Sequence, residues 1–308
     1  MKSKNFTRIQ EFFLSDISEI QCLLFVLFFC IYVSTILANL FIIFVVRSSS
    51  NLQTPMYFFL ANFSFLEICY ITSTVPKMLS NILVTRTTFS FYGCAMQMCW
   101  FLLLGATECY MLAAMAFDRY NAICRPLLYS VILNKKLCIK LILGCWFFGA
   151  ANAVIHTVLT LPFCSNKTDN FICDVPPLLK LSCFNNWLNE VVIFMISGLV
   201  TIGFLILTLI SYVKIISTIV SMKSNTNRQK AFSTCASHFT VVTIFFVSGI
   251  FMYFRPKSSY SMGQDGLIAM LYTVIVPLLN PFIYTFRNES VKIAVKTMIH
   301  QRVIAQKY

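Results

Sequence analysis

The sequence predicts an all-α membrane protein, a bundle of seven transmembrane helices followed by a short C-terminal amphipathic helix. Three observations lead there. The 308 residues are 58% hydrophobic and 11% charged, against about a quarter charged in an ordinary soluble domain, so the chain has too little polar surface to remain in water. Apolar runs of the length a hydrocarbon core demands, about 20 residues for a helix crossing ~30 Å, recur seven times. The loops joining them are strongly basic on one side and nearly balanced on the other, the asymmetry expected across a membrane.

Residues 1–21 form the outer N-terminal segment. Phe12-Phe13-Leu14 is too short for a secretory leader and no small-residue cleavage site follows, so no cleaved signal peptide is expected and the first span targets the chain to the membrane. The seven-helix domain covers residues 22–286, with spans at Cys22–Val46, Tyr57–Leu79, Met96–Phe117, Leu137–Leu161, Val191–Val220, Phe232–Phe254 and Leu267–Phe286. Lys77 and Lys140 sit at helix ends, where a long side chain snorkels to the head groups. Residues 287–308 form the inner tail that carries the amphipathic helix.

Seven spans put the termini on opposite sides, and loop charge selects the orientation. With the N-terminus outside, the inner segments carry Arg47, Arg119, Arg125, Lys135, Lys136, Lys140, Lys214, Lys223, Arg228, Lys230 and a basic tail, against Asp118 and Glu289 alone. The outer segments mix both signs. The formal net charge of +13 therefore belongs to short loops flanking apolar spans, where anionic membrane lipids are the partner and nucleic acid is not. No segment outside the membrane is long enough to bury a core of its own.

Nine cysteines fall in spans or on the inner side, where small apolar filling is their default role. Cys94, Cys164, Cys173 and Cys183 remain outside, an even set facing an oxidising compartment, and four cysteines allow three pairings. A zinc site is the competing reading of these four, disfavoured because the outer loop holds no histidine. His156, His238 and His300 show no ligand spacing, so no metal is expected. Glu67 and Glu108 lie within spans, and the cost of an ionised carboxylate against lipid turns both toward the bundle interior. Pro281 removes an amide donor mid-helix, so that Asn280, water and neighbouring side chains must compensate at a deformable point.

Asp118-Arg119-Tyr120 stands where the third span gives way to a basic loop. Adjacent opposite charges screen one another and leave Arg119 able to exchange partners, which suits a switch between two helix arrangements; a solvated helix end is the bland alternative. The run Met115-Ala-Phe-Asp118-Arg119-Tyr120, then Ala-Ile-Cys124, Pro126-Leu and Tyr129 resembles the olfactory receptors of the rhodopsin-like G-protein-coupled family. Further blocks occur in that family's order. They are Asn39, Pro55-Met-Tyr-Phe-Phe-Leu60, Gly105-Ala-Thr-Glu108-Cys-Tyr110, Ser211-Tyr212, Lys230-Ala-Phe-Ser-Thr-Cys-Ala-Ser-His238 and Pro277-Leu-Leu-Asn280-Pro281-Phe-Ile-Tyr284. The run from Ala61 to Cys69 is like one branch of the tetrapod receptors. Three departures stand out: Ala38 precedes Asn39 where glycine is more usual, Glu67 replaces aspartate, and Phe245-Phe246-Val247 replaces Phe-Tyr-Gly.

The resemblance implies a function and assigns residues to it. Cys94 would pair with Cys173, and Cys164 with Cys183, pinning the long outer loop over the bundle mouth. Asp118, Arg119 and Tyr120 would face the G protein, with Tyr212, Asn280, Pro281 and Tyr284 completing the switch. Glu67 and Glu108 would hold a sodium ion or share a proton; neutral carboxylic acids are the alternative. An odorant would sit among the third, fifth, sixth and seventh helices. Helical spacing groups Phe101, Leu102, Gly105, Ala106 and Cys109 along the third helix, facing Ser197, Val200 and Thr201, then Phe246, Ile250 and Tyr253, then Met270 and Thr273. None of these carries a formal charge, although such a stripe also serves simple helix packing.

The expected activity is receptor, not enzyme. It is the binding of small, volatile, mostly apolar odorants and activation of a heterotrimeric stimulatory olfactory G protein to raise cyclic AMP at the plasma membrane. A non-olfactory chemosensor of the same fold is the alternative. A transporter or channel would call for repeated halves or a ring of pore charges, and none is evident. Asn5-Phe6-Thr7 is an outer sequon expected to carry N-linked glycan, whereas Asn62 lies in a span and Asn288 inside. Asn166 lies in the loop that disulfides would close.

Overall fold

The computed structural model of the chain describes residues 4–83, 91–160, 187–253, 271–287 and 289–305. They form helices and turns, with no strand among the described residues. Helix α1 runs from Lys4 to Ser48. It begins well before the apolar run expected from Cys22, because neither glycine nor proline interrupts Lys4–Ser48. Its membrane-crossing part is Gln21–Ser48. A 3₁₀ turn, Ser50–Leu52, leads to α2, Pro55–Leu83, whose first residue is a proline, where the missing amide hydrogen costs nothing.

The third span is α3, Phe91–Cys124. It stops before Arg125-Pro126 because a residue preceding proline is pushed out of helical geometry. The inner loop then holds a 3₁₀ turn, Pro126–Leu128, and a one-turn helix α4, Tyr129–Ile132. Helix α5, Lys135–Thr160, is capped by Asn134, whose Oδ1 accepts the Leu137 amide at 2.9 Å. Helices α6, Trp187–Ser221, and α7, Asn225–Tyr253, are joined by a tight turn at residues 222–224. Helix α6 ends with its apolar stretch at Ser221, whereas α7 begins at Asn225, several residues before its own.

Among the described residues, six helices are long and apolar enough to cross a membrane: those containing Gln21–Ser48, Pro55–Leu83, Tyr92–Cys124, Lys135–Thr160, Gly198–Ser221 and Ala231–Ile250. The seventh span expected at Leu267–Phe286 starts outside the described residues. Its described part is a π-turn, Leu271–Ile275, followed by α8, Val276–Arg287, with Pro281 inside the helix. The final helix α9, Glu289–Ala305, buries Val291 and Ala294 and half-buries Val295 and Met298, while Ile293, Lys296 and Ile299 stay exposed. Burial is thus confined to one side of the helix, which packs near α1 and the Ser50–Leu52 turn, while the exposed side still carries the apolar Ile293 and Ile299.

Helix α3 is the axis of the bundle, packed on α5, α6 and α2. The main core gathers Phe59, Phe63 and Leu66 of α2, Leu104 and Met111 of α3, and Val241 and Phe245 of α7. The outward faces are as apolar as the interior. Leu23, Phe147, Leu199 and Val213 are 66–69% exposed, a surface that only lipid covers without cost.

One close approach sets the spacing of α3 and α5. Gly149 lies against Thr107 and the Leu103 carbonyl, where an added Cβ would meet the Leu103 oxygen at 3.1 Å. Gly105, grouped with the pocket positions on α3, is not such a point. A Cβ there would meet only the Tyr70 ring, at 3.9 Å.

Candidate functional site

At the inner end of α3, Asp118 and Arg119 are both buried and form an ion pair with each other. Arg119 donates to one oxygen, Oδ2, through Nε at 2.9 Å and also through Nη2. The other oxygen, Oδ1, accepts the Tyr129 hydroxyl of α4 at 2.8 Å. Burial and the neighbouring Asp118 carboxylate push the Tyr129 phenol above its ordinary value, so it stays protonated and remains a donor. Arg125 lies over the Tyr120 ring, 5.6 Å from its centroid, a cation–π contact. The loop after α3 thus folds back onto Asp118 and Tyr120.

Tyr212 and Tyr284, expected as later partners of Arg119, are both buried. Tyr212 is occupied elsewhere: its hydroxyl bonds to His238 Nδ1 of α7, and the two rings stack at 5.9 Å. Tyr284 lies 6.5 Å from the His238 ring and edge-on to Phe63 at 6.1 Å. Its hydroxyl is buried with no hydrogen-bond partner. His238 therefore joins α6 to α7 beside α8, a role its lack of metal-ligand spacing did not suggest. The available signal was its place one helix away from Tyr212 at the same inner depth.

Mid-membrane, Glu67 of α2, Glu108 of α3 and Asn280 of α8 are all buried. Asn280 Nδ2 donates to Glu67 Oε1, a contact 213 residues apart in sequence. Glu67 Oε2, Glu108 Oε1 and Asn280 Oδ1 are buried without hydrogen-bond partners. These oxygens suit a hard cation or protons supplied to the acids. Pro281 follows Asn280 directly, so the weakened helix and the polar group share one point.

The outer layer is partly described. Phe101, Cys109 and Phe246 belong to one apolar cluster against which Ala106 and Val200 pack. Phe101 also leans on Tyr70 of α2, ring centroids 5.5 Å apart. Leu102, Gly105 and Thr201 are half-buried and Thr273 is buried, while Ile250 is 38% exposed. Met270 lies outside the described residues, as do the side chains of Ser197, Tyr253 and Asn5. Cys94 at the outer end of α3 is disulfide-bonded. Cys164, Cys173 and Cys183 lie outside the described residues, whereas the nine inner and spanning cysteines are free thiols.

A helical membrane bundle with a buried acid–arginine pair at the end of its third helix is the arrangement that the resemblance to G-protein-coupled receptors implies, and comparison with known proteins defines the class. The chain matches the family model described as "Olfactory receptor" over residues 28–302. It is 46% identical over 310 residues to olfactory receptor 5AP2 of Mus musculus, covering 99% of this chain and 98% of that one. It is 44% identical over 308 residues to human olfactory receptor 5F1, covering 98% of each, and 46% identical over 299 residues to human olfactory receptor 5A2, covering 95% and 92%. The chain belongs to the olfactory receptor family. It is an odorant receptor of the G-protein-coupled type, a multi-pass membrane protein and not an enzyme.

Proposed function

We propose that this receptor binds small, volatile, mostly apolar molecules in the outer half of the bundle and activates a stimulatory olfactory-type heterotrimeric G protein, raising cyclic AMP. It acts at the plasma membrane with its N-terminus outside. The observation that carries the coupling half is the inner cluster, in which Arg119 is held by Asp118 while Tyr212 is held by His238. Both are resting contacts that a rearranged bundle exchanges. The inner loop also presents apolar surface where a protein partner would cover it: Leu127 is 93% exposed.

The ligand half rests on composition. A cavity lined by Phe101, Leu102, Val200, Phe246, Ile250 and Met270 draws affinity from apolar burial, about 25 cal/mol per Å² before ordering costs. With no charge among the lining residues, carboxylates and amines are poor candidates. Aldehydes, ketones, alcohols and esters of modest size fit better, a single polar group being oriented by Ser197, Thr201 or Tyr253. The group of Glu67, Glu108 and Asn280 would hold a sodium ion or a shared proton, supported by its three unpartnered buried oxygens.

The test is a screen of volatile compounds in cells that report cyclic AMP. Gly105→Leu should silence bulky agonists without loss of surface receptor, and Tyr253→Phe should weaken a polar agonist more than its hydrocarbon-like analogue. A carboxylic acid as strongest agonist, with both substitutions silent, overturns the pocket.

A further inference from the structure

We propose that Tyr70 of α2 is the back wall of the odorant pocket and sets its size limit, although α2 supplies none of the pocket residues grouped above. This rests on the ligand reading and adds a specificity-determining residue to it. Leu102, Gly105 and Ala106 are only half-buried, yet α3 is packed on α2, α5 and α6. Positions i, i+3 and i+4 share one face of a helix, so that face is left partly uncovered. Gly105 shows what stands across it. A methyl group there would touch the Tyr70 ring, at 3.9 Å from Cε2, and no other neighbour within 4 Å among the described residues. The space beside Gly105 is therefore open, and the wall within reach is an aromatic ring from α2.

Tyr70 is itself 1% exposed. Its ring leans on Phe101, centroids 5.5 Å apart, and Phe101 lies one turn outward of Gly105 on α3. The ring thus props Phe101 above and closes the space beside Gly105 below. With no side chain at Gly105 standing between, the ring alone limits how far a ligand reaches toward α2. Its place is fixed through the backbone: the Tyr70 carbonyl accepts Ser73 Oγ at 2.7 Å and Thr74 Oγ1 at 3.3 Å, just before the Pro76 inside α2. Hydroxyls bonded to a helix carbonyl and a proline inside a helix both bend it. Those bonds end on the main chain of residue 70, so they survive a change of its side chain. Removing the ring leaves a cavity continuous with the space beside Gly105.

The test is a size series on full-length receptor in cells that report cyclic AMP, with straight-chain aldehydes of increasing length as the probe. Wild type should gain about fourfold in potency for each added methylene up to a limiting length and lose response beyond it. Tyr70→Ala should extend the limit by about two methylenes, worth about fifteenfold for the longer aldehydes. Tyr70→Phe keeps the ring and should leave the limit in place. Gly105→Leu should shorten it, and Tyr70→Ala in the same chain should give length back. A limit unmoved by Tyr70→Ala overturns the proposal, as does failure to rescue Gly105→Leu, or Tyr70→Phe acting as strongly as alanine.

A second measurement needs neither an agonist nor the alanine variant. Tyr70→Cys receptor in membranes is treated with 2-aminoethyl methanethiosulfonate, and modification at position 70 is followed by peptide mass spectrometry. Phe63→Cys is the reference, a position on α2 equally buried at 1% exposure but packed edge-on to Tyr284. The thiol at position 70 should be modified while the one at position 63 is spared. Equal protection of the two overturns the proposal, and it decides the matter if no aldehyde activates the receptor. Modification at position 70 with aldehyde responses indifferent to both Gly105→Leu and Tyr70→Ala supports the placement of Tyr70 and sinks the ligand reading instead.

Discussion

A methyl group at Gly149 has no room, which makes Gly149→Ala a sharp test of how α3 and α5 are spaced. The added Cβ would overlap the Thr107 hydroxyl and lie 3.1 Å from the Leu103 carbonyl oxygen and 3.2 Å from the Thr107 Cβ. Rotating Thr107 removes only the first clash and gives up its 2.7 Å bond to the Leu103 carbonyl. The other two contacts are backbone or attached to it, so the helices themselves must separate. Overpacking of this kind costs about 1–3 kcal/mol. Gly144 on the same helix has nothing within 4 Å of an added methyl, so Gly144→Ala should instead gain about 0.5–1 kcal/mol from the better helix former. At roughly 2–3 °C for each kcal/mol, the first variant melts about 2–9 °C lower and the second slightly higher. Fluorescence-detected unfolding of purified receptor in detergent separates them. Gly149→Ala melting at or above wild type, or both variants shifting alike, would show that this approach does not constrain the bundle.

Arg119→Ala should leave surface level and odorant binding intact while abolishing agonist-driven cyclic AMP; normal signalling from that variant at the surface refutes the switch assignment. Cys94→Ser should lose surface delivery, read by flow cytometry on intact cells, and Cys173→Ser should match it, since the two are expected to be partners. A Cys94→Ser receptor that signals at normal surface level shows the bridge to be dispensable. Asn5→Gln should remove the glycosidase-sensitive mobility shift on a gel. An unaltered shift would contradict both the site and the outside placement of the N-terminus.

The membrane class, the spans and the inner face of the third helix were legible in the chain because each is a local property. Hydropathy over about 20 residues records the thickness of the bilayer, and Asp118-Arg119-Tyr120 is contiguous in sequence. Glu67 and Glu108 were assigned to the interior from the cost of charge in lipid, and both are buried. Which groups meet across helices was another matter. Asn280 reaches Glu67 across 213 residues, His238 takes the Tyr212 hydroxyl, and Tyr129 takes the second oxygen of Asp118. Such pairings depend on helix rotation and depth, to which a run of hydropathy is blind. The same holds for the glycines: Gly105 and Gly149 are alike in sequence, yet only the second sits where two backbones come too close for a side chain. Apolar residues cover both faces of every span, one toward lipid and one toward the core. Tertiary structure alone therefore decided which face turned inward and what it found there.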